Sequence, residues 1–370
     1  MRINQFFCLL LCFLAISIHA NSQELQPGFD KAEYMETLKI NQKAHIALDK
    51  WNEPPVFPMP QEYKFVYRSP RVAFDNIWDL WIHESKPIAV IAIQGSIPTE
   101  ISFLANLYAA MVPAKGVLQL DSNFNFNYNL SNNPNAAVHV GWLVAMGFMS
   151  PTIVHKIDSC YNEGIKDFIL TGHSQGGGIT FLLTSYLENL QAEHKIPSDI
   201  RFKTYCSAGP KPGNLFYAYD YENNTKGGWA FNVINTADWV PEVPFTVQTI
   251  SDFPKVNPFR DAKAMIKKQK FPKNIALKHA YNKLSKPSNK AQRNYEKYLG
   301  EIVAKAVKKK LPNFSAPEYY KSNYYVRTGT TVILQPDEAY FKIYNSDSNP
   351  SIWLHHLPQP YVYLAEKLKE

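Results

Sequence analysis

The sequence contains little cysteine. Cys8 and Cys12 fall in the apolar N-terminal segment, which leaves only Cys160 and Cys206 for the rest of the 370-residue chain. So few thiols exclude a scaffold built on disulfides and a zinc site ligated by cysteine. A single disulfide is the alternative, but Cys160 falls in a helix-like run and Cys206 in a strand-like one, which favours two separate buried thiols.

Internal repeats are also absent, and no change of composition marks a domain boundary. With 45% hydrophobic and 19% charged residues, the chain has the composition of a folded globular protein. We therefore expect residues 21–370 to form one domain that carries a Lys-rich insertion at residues 251–316.

Acidic residues are scarce in one part of the chain. From Lys255 to Lys310 there are seventeen Lys or Arg residues and three acids. The end of this segment predicts an amphipathic helix with lysines on one face and an apolar stripe formed by Tyr295, Leu299, Ile302, Val303 and Ala306. Such a helix could contact an anionic membrane surface, and the alternative is a charged face that is merely solvated.

Residues 1–20 have the layout of a secretory signal peptide. Arg2 precedes an apolar run from Phe6 to Ile18, and Ala20 precedes polar residues. The run is shorter than the roughly 20 residues that a membrane span needs. We expect cleavage of this segment and a secreted or periplasmic protein. Export, and the lack of a recognisable nucleic-acid-binding module, argue against a nucleic-acid partner.

Strand-like and helix-like runs alternate along the chain, which predicts an α/β fold with a mostly parallel sheet. Strands are expected at residues 64–67, 76–83 and 87–95, around Phe168, at "RFKTYCSAG", "WAFNVIN", "TTVILQP" and "AYFKIY". Helices are expected at residues 97–112, at 141–163 and after Gly176, and a polar loop is expected at residues 121–135.

The stretch "ILTGHSQGGG" places Ser174 between a strand-like run and a helix-like run, with Gly172 and Gly176 on either side. This is the G-x-S-x-G pattern, the nucleophile elbow, in which a strained strand-to-helix turn exposes the serine at a helix N-terminus. The flanking elements make the pattern far more specific than the five residues alone. The alternative is a glycine-rich helix start that a serine caps.

A serine nucleophile needs a general base, and in this architecture the acid and the histidine follow the serine in the chain. Of the later histidines, His194 follows the elbow helix too closely and His279 lies in the basic segment. The base is therefore predicted to be His356 or His355, near the C-terminus.

The acid and the oxyanion donors are predicted where strand-like runs end. "FNVIN" ends at Asn235 and leaves Asp238 in the following loop. "AVIAIQG" ends at Gly95, and Ser96 begins the next loop. Backbone N–H groups of Ser96 and Gln175, together with the Ser96 hydroxyl, would hold the oxygen of a tetrahedral intermediate.

With these positions identified, the chain resembles the fungal-type, class 3 lipase family of α/β-hydrolases. The resemblance rests on "IAIQGS", "VHVGW", "LTGHSQGGG", "SAGPKPGN" and "NTADWVPEVPF" in that order, and on Tyr361, five residues after His356. The tyrosine spacing favours His356 over His355 as the base. The resemblance implies the α/β-hydrolase fold, hydrolysis of lipid esters at an interface, and no cofactor or metal.

Carried over by position, the resemblance implies Ser174 as nucleophile, Asp238 as acid, His356 as base, and Ser96 with Gln175 as oxyanion donors. Two other histidines are not assigned to the triad. His139 in "VHVGW" matches a structural position, and His173 should point to the opposite sheet face from its neighbour, because adjacent strand residues alternate.

Two glutamines depart from the family pattern. Gln94 stands where arginine is usual and Gln175 where leucine is commoner, and both bear on the polarity of the pocket. The helix expected at residues 97–112, with apolar Phe103 and Leu107, is either a mobile lid or a fixed core helix.

The leading hypothesis is a secreted carboxylester hydrolase of the triacylglycerol lipase type that works through an acyl-enzyme. A phospholipase A or a short-chain esterase with the same triad is the first alternative. A catalytically silent α/β-hydrolase that binds a lipid or envelope component is the second.

Overall fold

The computed structural model describes residues 24–51, 53 and 57–369, so the predicted signal peptide lies outside the described residues. The strands are β1 (Tyr63–Arg68), β2 (Trp78–His83), β3 (Ile88–Ile93), β4 (Met111–Pro113), β5 (Lys115–Asp121), β6 (Phe124–Asn129), β7 (Ala137–His139), β8 (Asp167–His173), β9 (Arg201–Ser207), β10 (Gly213–Asn214), β11 (Ala230–Asn235), β12 (Tyr325–Val326) and β13 (Thr330–Leu334).

The helices are α1 (Lys31–Lys43), α2 (Glu100–Leu107), α3 (Val140–Asn162), α4 (Gln175–Ala192), α5 (Leu215–Asn224), α6 (Ala262–Lys267), α7 (Lys273–Glu296), α8 (Val303–Lys310), α9 (Glu338–Ile343) and α10 (Pro358–Glu366). A π-helical turn, Lys297–Ile302, joins α7 to α8. Short 3-10 turns occur at Leu48–Lys50, Val240–Glu242 and Ile250–Asp252.

A seven-stranded sheet in the order β1-β2-β3-β8-β9-β11-β13 forms the centre of the fold. From β3 to β13 each neighbouring pair is parallel, whereas β1 and β2 are antiparallel additions at one edge. The predicted α/β fold with a mostly parallel sheet is confirmed. Because the parallel strands share a direction, the residues after β3, β8 and β11 meet at one edge of the sheet.

Helices cover both faces of this sheet, so every residue of β3 and of β8 is buried. Helices α3 and α4 pack on one face within the larger core cluster, while α1 and α10 pack on the other. Helix α3 is long and apolar enough to cross a membrane, but 67% of its most apolar window is buried in this core. Its apolar residues therefore serve packing.

The helix predicted at residues 97–112 is shorter than expected. It ends at Leu107, and Met111–Pro113 instead forms β4, which pairs with β7. Residues 121–135 were expected to form a polar loop, but Phe124–Asn129 pairs with β5 in a two-stranded sheet. The alternation explains this difference, because Phe126 and Tyr128 are buried while Asn125 and Asn127 are exposed.

The strand predicted at "AYFKIY" is wrong, because these residues lie in helix α9. Asp337 caps this helix by accepting a hydrogen bond from the Tyr340 N–H, at 2.7 Å. Tyr340 is fully buried, so this short helix buries an aromatic side chain as a strand would.

The apolar stripe predicted in the Lys-rich insertion is shifted by the π-helical turn. Ile302 and Ala306 are exposed, whereas Ala304 and Val307 are buried. A π-helical turn accommodates an extra residue, which rotates the following helix face by about one position. The two cysteines outside the N-terminal segment, Cys160 and Cys206, are both free and buried, as predicted.

Candidate active site

Ser174 lies at the turn between β8 and α4, with the backbone angles φ 61° and ψ −131°. A non-glycine residue rarely adopts this conformation, and such strain concentrates at functional sites. A Cβ on Gly172 would come within 2.3 Å of the Gly176 carbonyl carbon, and one on Gly176 within 2.2 Å of the Ile93 oxygen. The two glycines therefore permit a turn that no larger residue allows.

The Ser174 hydroxyl has no hydrogen-bond partner among the described residues, and it does not cap α4. This excludes the alternative in which the serine only begins a helix. Ser174 is partly exposed at the N-terminus of an 18-residue helix, where the helix dipole favours negative charge.

Asp238 and His356 form a buried hydrogen-bonded pair beside this turn. His356 Nδ1 lies 2.7 Å from Asp238 Oδ2. The carboxylate also accepts hydrogen bonds from the Tyr361 hydroxyl, at 2.8 Å, and from the Val240 N–H, at 3.0 Å. These donors fix the carboxylate and leave it oriented toward the imidazole.

His355 is held elsewhere. Its Nδ1 lies 2.8 Å from the Tyr340 hydroxyl and its Nε2 lies 3.1 Å from the Ser346 hydroxyl. Both ring nitrogens therefore have partners on helix α9 and the loop after it, and neither hydrogen-bonds Asp238. Of the two adjacent histidines, only His356 is paired with the carboxylate.

His173 lies beneath the His356 loop and supports it. Its Nε2 is 2.8 Å from the His356 carbonyl oxygen, which can only accept, so Nε2 donates. Burial, followed by the charge of His356, keeps the pKa of His173 well below its usual value, so the ring is neutral. Its Nδ1 then accepts from the Ser207 hydroxyl, at 3.1 Å, and Ser207 accepts from the Tyr34 hydroxyl, at 2.8 Å.

Sequence reasoning assigned no role to His173, and the adjacent "GHS" residues give only a weak signal for one. His139 is likewise outside the Asp238–His356 pair, as expected. It caps α3, its ring stacks on Trp142 at 3.7 Å, and burial lowers the pKa of His139 to about 3.

Ser96 and Gln175 meet through Asn106 of helix α2. Asn106 Nδ2 donates to Ser96 Oγ, at 3.0 Å, which leaves the Ser96 hydroxyl proton free to donate elsewhere. The Gln175 side chain donates to Asn106 Oδ1, at 2.9 Å, and to the Ser102 carbonyl, at 3.0 Å. The polar side chain of Gln175 is thus buried and ties α2 to the elbow, and it does not line the pocket.

Helix α2 is anchored on its inner side and apolar on its outer side. Trp142 Nε1 also donates to Asn106, and Ser102 and Ala105 are buried, whereas Phe103 and Leu107 are exposed. These hydrogen bonds indicate that the part of α2 that faces Gln175 is a fixed helix and not a mobile lid.

The Tyr361 hydroxyl provides a test of the buried Asp238 environment. Replacing Tyr361 by Phe removes a donor to a buried carboxylate, which should lower the free energy of unfolding by about 1.5–3 kcal/mol. Urea denaturation measures this change. Tyr344→Phe is the matched control, since no described residue hydrogen-bonds that hydroxyl, and an equal loss in both variants would contradict the assigned contact.

The chain can now be compared with known proteins. The family model for lipase (class 3) matches residues 90–248. No curated protein matches the chain by sequence. Among solved structures, the Rhizomucor miehei lipase propeptide complex is 18% identical, with a TM-score of 0.42, and the alignment covers 59% of this chain and 65% of that chain. This chain thus spans just under two thirds of the Rhizomucor chain.

Lip2 lipase from Yarrowia lipolytica is also 18% identical, with a TM-score of 0.42, and 60% of this chain and 78% of that chain are covered. A mutant form of MDLA from Penicillium cyclopium is 16% identical, with a TM-score of 0.43 and coverage of 58% of this chain and 74% of that chain. The matched segment contains Ser96, Ser174 and Asp238. Over that segment the chain is similar to the class 3 lipases.

Proposed function

We propose that this chain is a secreted serine hydrolase of lipid esters, with Ser174 as nucleophile, His356 as base and Asp238 as acid. The observation that carries the proposal is the 2.7 Å contact between His356 Nδ1 and Asp238 Oδ2, on loops that meet beside a strained serine. This pairing supplies the third group that a serine–histidine couple needs for orientation.

The chemistry follows from the tautomer that Asp238 selects. With the proton on Nδ1, His356 Nε2 is free to accept the proton of Ser174 as Oγ attacks the ester carbonyl carbon. Negative charge develops on the carbonyl oxygen, and the N–H of Gln175 with the donors of Ser96 would stabilise it. His356 then protonates the leaving alcohol, the C–O bond breaks, and a water molecule hydrolyses the acyl-enzyme by the same steps.

Apolar side chains around the site support a lipid substrate. Trp239 follows Asp238 directly and Leu357 follows His356, and both are exposed, as are Ile352 and Phe103. The Trp353 ring lies 5.2 Å from the Trp239 ring and 5.6 Å from the His356 ring. An exposed apolar rim around a polar reaction centre is suited to acyl chains at an interface.

Secretion is proposed from residues 1–20, which lie outside the described residues. The backbone is anchored a few residues after this segment, because the Leu25 N–H donates a hydrogen bond to the buried Asp167 carboxylate, at 3.0 Å. Cleavage after Ala20 would leave this hydrogen bond intact. N-terminal sequencing of the exported protein should find Asn21 first, and an intact N-terminus would contradict the proposal.

The triad assignment predicts unequal effects of neighbouring substitutions. Ser174→Ala and His356→Ala should each lower kcat by roughly 10⁴-fold or more, because these groups act as a unit. His355→Ala is the matched control and should change kcat by less than about tenfold, since its loss affects only loop contacts. Initial rates on p-nitrophenyl acetate, tributyrin, an emulsified long-chain triglyceride and a phospholipid measure both effects and rank the substrates. Equal losses for the two histidine variants would contradict the assignment.

We also propose that the Lys-rich insertion, residues 251–316, contacts anionic lipid. None of the seventeen cations between Lys255 and Lys310 forms an ion pair among the described residues. Large apolar side chains are exposed among these cations, including Val256 at 88%, Phe271 at 78% and Leu284 at 79%. Cations and exposed apolar side chains together form the composition of an interfacial surface.

The insertion is also joined to the catalytic domain next to the site. The Ala110 N–H donates to the Leu299 carbonyl, at 3.2 Å, and α8 packs against α2. A lipid surface bound by the insertion would therefore lie close to the helix that borders the reaction centre.

Removing cations tests this contact. Replacing Lys273, Lys278 and Lys283 by Gln should weaken binding to phosphatidylglycerol-containing vesicles by roughly a hundredfold, at about 1 kcal/mol for each lysine. Cosedimentation in low salt measures the binding. The control replaces the exposed Lys64, Lys86 and Lys226 by Gln, with the same change of charge. Equal weakening in both triple variants, or equal binding to neutral phosphatidylcholine vesicles, would contradict the proposed contact.

A further inference from the structure

Two turns that precede the matched segment border the reaction centre on its oxyanion side. The first follows helix α1 and carries His45, and the second, residues 71–76, joins β1 to β2. Neither was expected from the sequence, because neither belongs to a motif.

The first turn is clamped onto the sheet at both ends. Gln94 Nε2 donates to the Ala44 carbonyl, at 2.5 Å, and Arg68 donates to the Lys43 and Ile46 carbonyls, at 3.0 Å and 2.8 Å. Gln94 is the residue that replaces the family arginine, so this departure from the pattern serves to hold the His45 turn.

His45 is an exposed residue whose imidazole Nε2 is nevertheless packed over Gly95, near Ser174. A Cβ built on Gly95 would lie 3.4 Å from His45 Nε2 and 3.4 Å from Ser174 Cβ. The imidazole nitrogen and the serine Cβ are thus separated by no more than the sum of these two distances. A lipid whose ester carbonyl reached Ser174 would pass His45.

The second turn is strained and carries an unpaired cation. Ala73 and Asp75 have φ values of 49° and 61°, which non-glycine residues seldom adopt. Within this turn the Asn76 side chain donates a hydrogen bond to the Gln175 side chain, at 3.2 Å. The strained turn is therefore bound to the residue that follows Ser174. Arg71 Nη1 donates to the Asp75 carbonyl, at 3.0 Å, and lies 3.5 Å from Gln94 Oε1.

Arg71 is exposed, and part of its guanidinium group makes no hydrogen bond. Its Nε and Nη2 make no hydrogen bond, and it forms no ion pair, within the described part of the chain. The carboxylate of Asp75 accepts from the Thr99 hydroxyl, at 3.0 Å. An exposed arginine with a free fork of donors fits the oxygens of a phosphate group.

The electrostatic surroundings of His45 also favour an anion. Desolvation by the surrounding protein, and then the positive charges of Arg68, His356 and Arg71, lower the pKa of His45. Arg68 is neutralised by its two contacts with buried Asp79, at 2.8 Å and 2.7 Å, but Arg71 is not. A bound anion would relieve the repulsion that the imidazolium otherwise meets.

We propose that Arg71 and His45 form a subsite for the phosphate of a glycerophospholipid whose acyl ester is attacked by Ser174. This inference rests on the proposed function and narrows it, because a phosphate within a few bonds of the ester distinguishes a phospholipid from a triacylglycerol. The other donors near Ser174, on Ser96 and Gln175, serve the carbonyl oxygen and leave the phosphate to these two side chains.

The experiment compares two monomeric substrates with the same acyl chains, dihexanoyl phosphatidylglycerol and 1,2-dihexanoylglycerol, at concentrations below micelle formation. Arg71→Gln and His45→Ala should each lower kcat/KM for the phospholipid by roughly tenfold to a hundredfold, the scale of one charge-assisted hydrogen bond. The rate on dihexanoylglycerol should change by less than about threefold, which also shows that each variant is folded. Lys226→Gln is the control for removing a surface cation.

Equal losses on both substrates, or no loss on the phospholipid, would overturn the phosphate subsite. So would hydrolysis of dihexanoylglycerol by the unaltered protein without hydrolysis of the phospholipid, although the proposed hydrolase would then stand. If the unaltered protein hydrolysed neither substrate, the proposed function itself would fail, and the subsite with it.

Discussion

The close contact between Gly176 and the end of β3 determines where the other parts of the site lie. With the Ile93 oxygen only 2.2 Å from the position of a Gly176 Cβ, α4 begins directly against the sheet edge. The turn at Ser174 is forced into its strained conformation by this approach. Because β3 and β8 are neighbours and parallel, the loop that begins at Ser96 necessarily flanks the serine. Ser174 and the loop that begins at Ser96 are thus placed by one backbone constraint.

His356 is positioned differently, by a chain of buried hydrogen bonds. Tyr34 donates to Ser207, Ser207 to His173, and His173 to the carbonyl of His356. Since Tyr34 belongs to helix α1, the segment before the matched region supports the loop that carries His356. The turn after the same helix carries His45 to the neighbourhood of Ser174, so one N-terminal segment provides both this support and the inferred substrate contact.

Local signals explain which features could be predicted. The turn at Ser174 is signalled by the spacing of nearby glycines, and Asp238 by the end of a strand, so both could be predicted from neighbouring residues in the sequence. The order of residues alone left His356 and His355 as alternatives, and they differ in the tertiary partners of their rings. His173, His45 and Arg71 carry no motif, because their positions arise from packing between elements far apart in the chain. The π-helical turn at Lys297–Ile302 likewise broke the apolar period that the sequence suggested.

If Ser174 is a nucleophile activated by the Asp238–His356 pair, covalent trapping reveals it most directly. The full-length protein is treated with a fluorophosphonate, digested, and the adduct is located by peptide mass. We expect one adduct, on the peptide containing Ser174, that forms in the His355→Ala variant but not in His356→Ala. An adduct on another residue, or no adduct on folded protein, would contradict the proposed activation of Ser174.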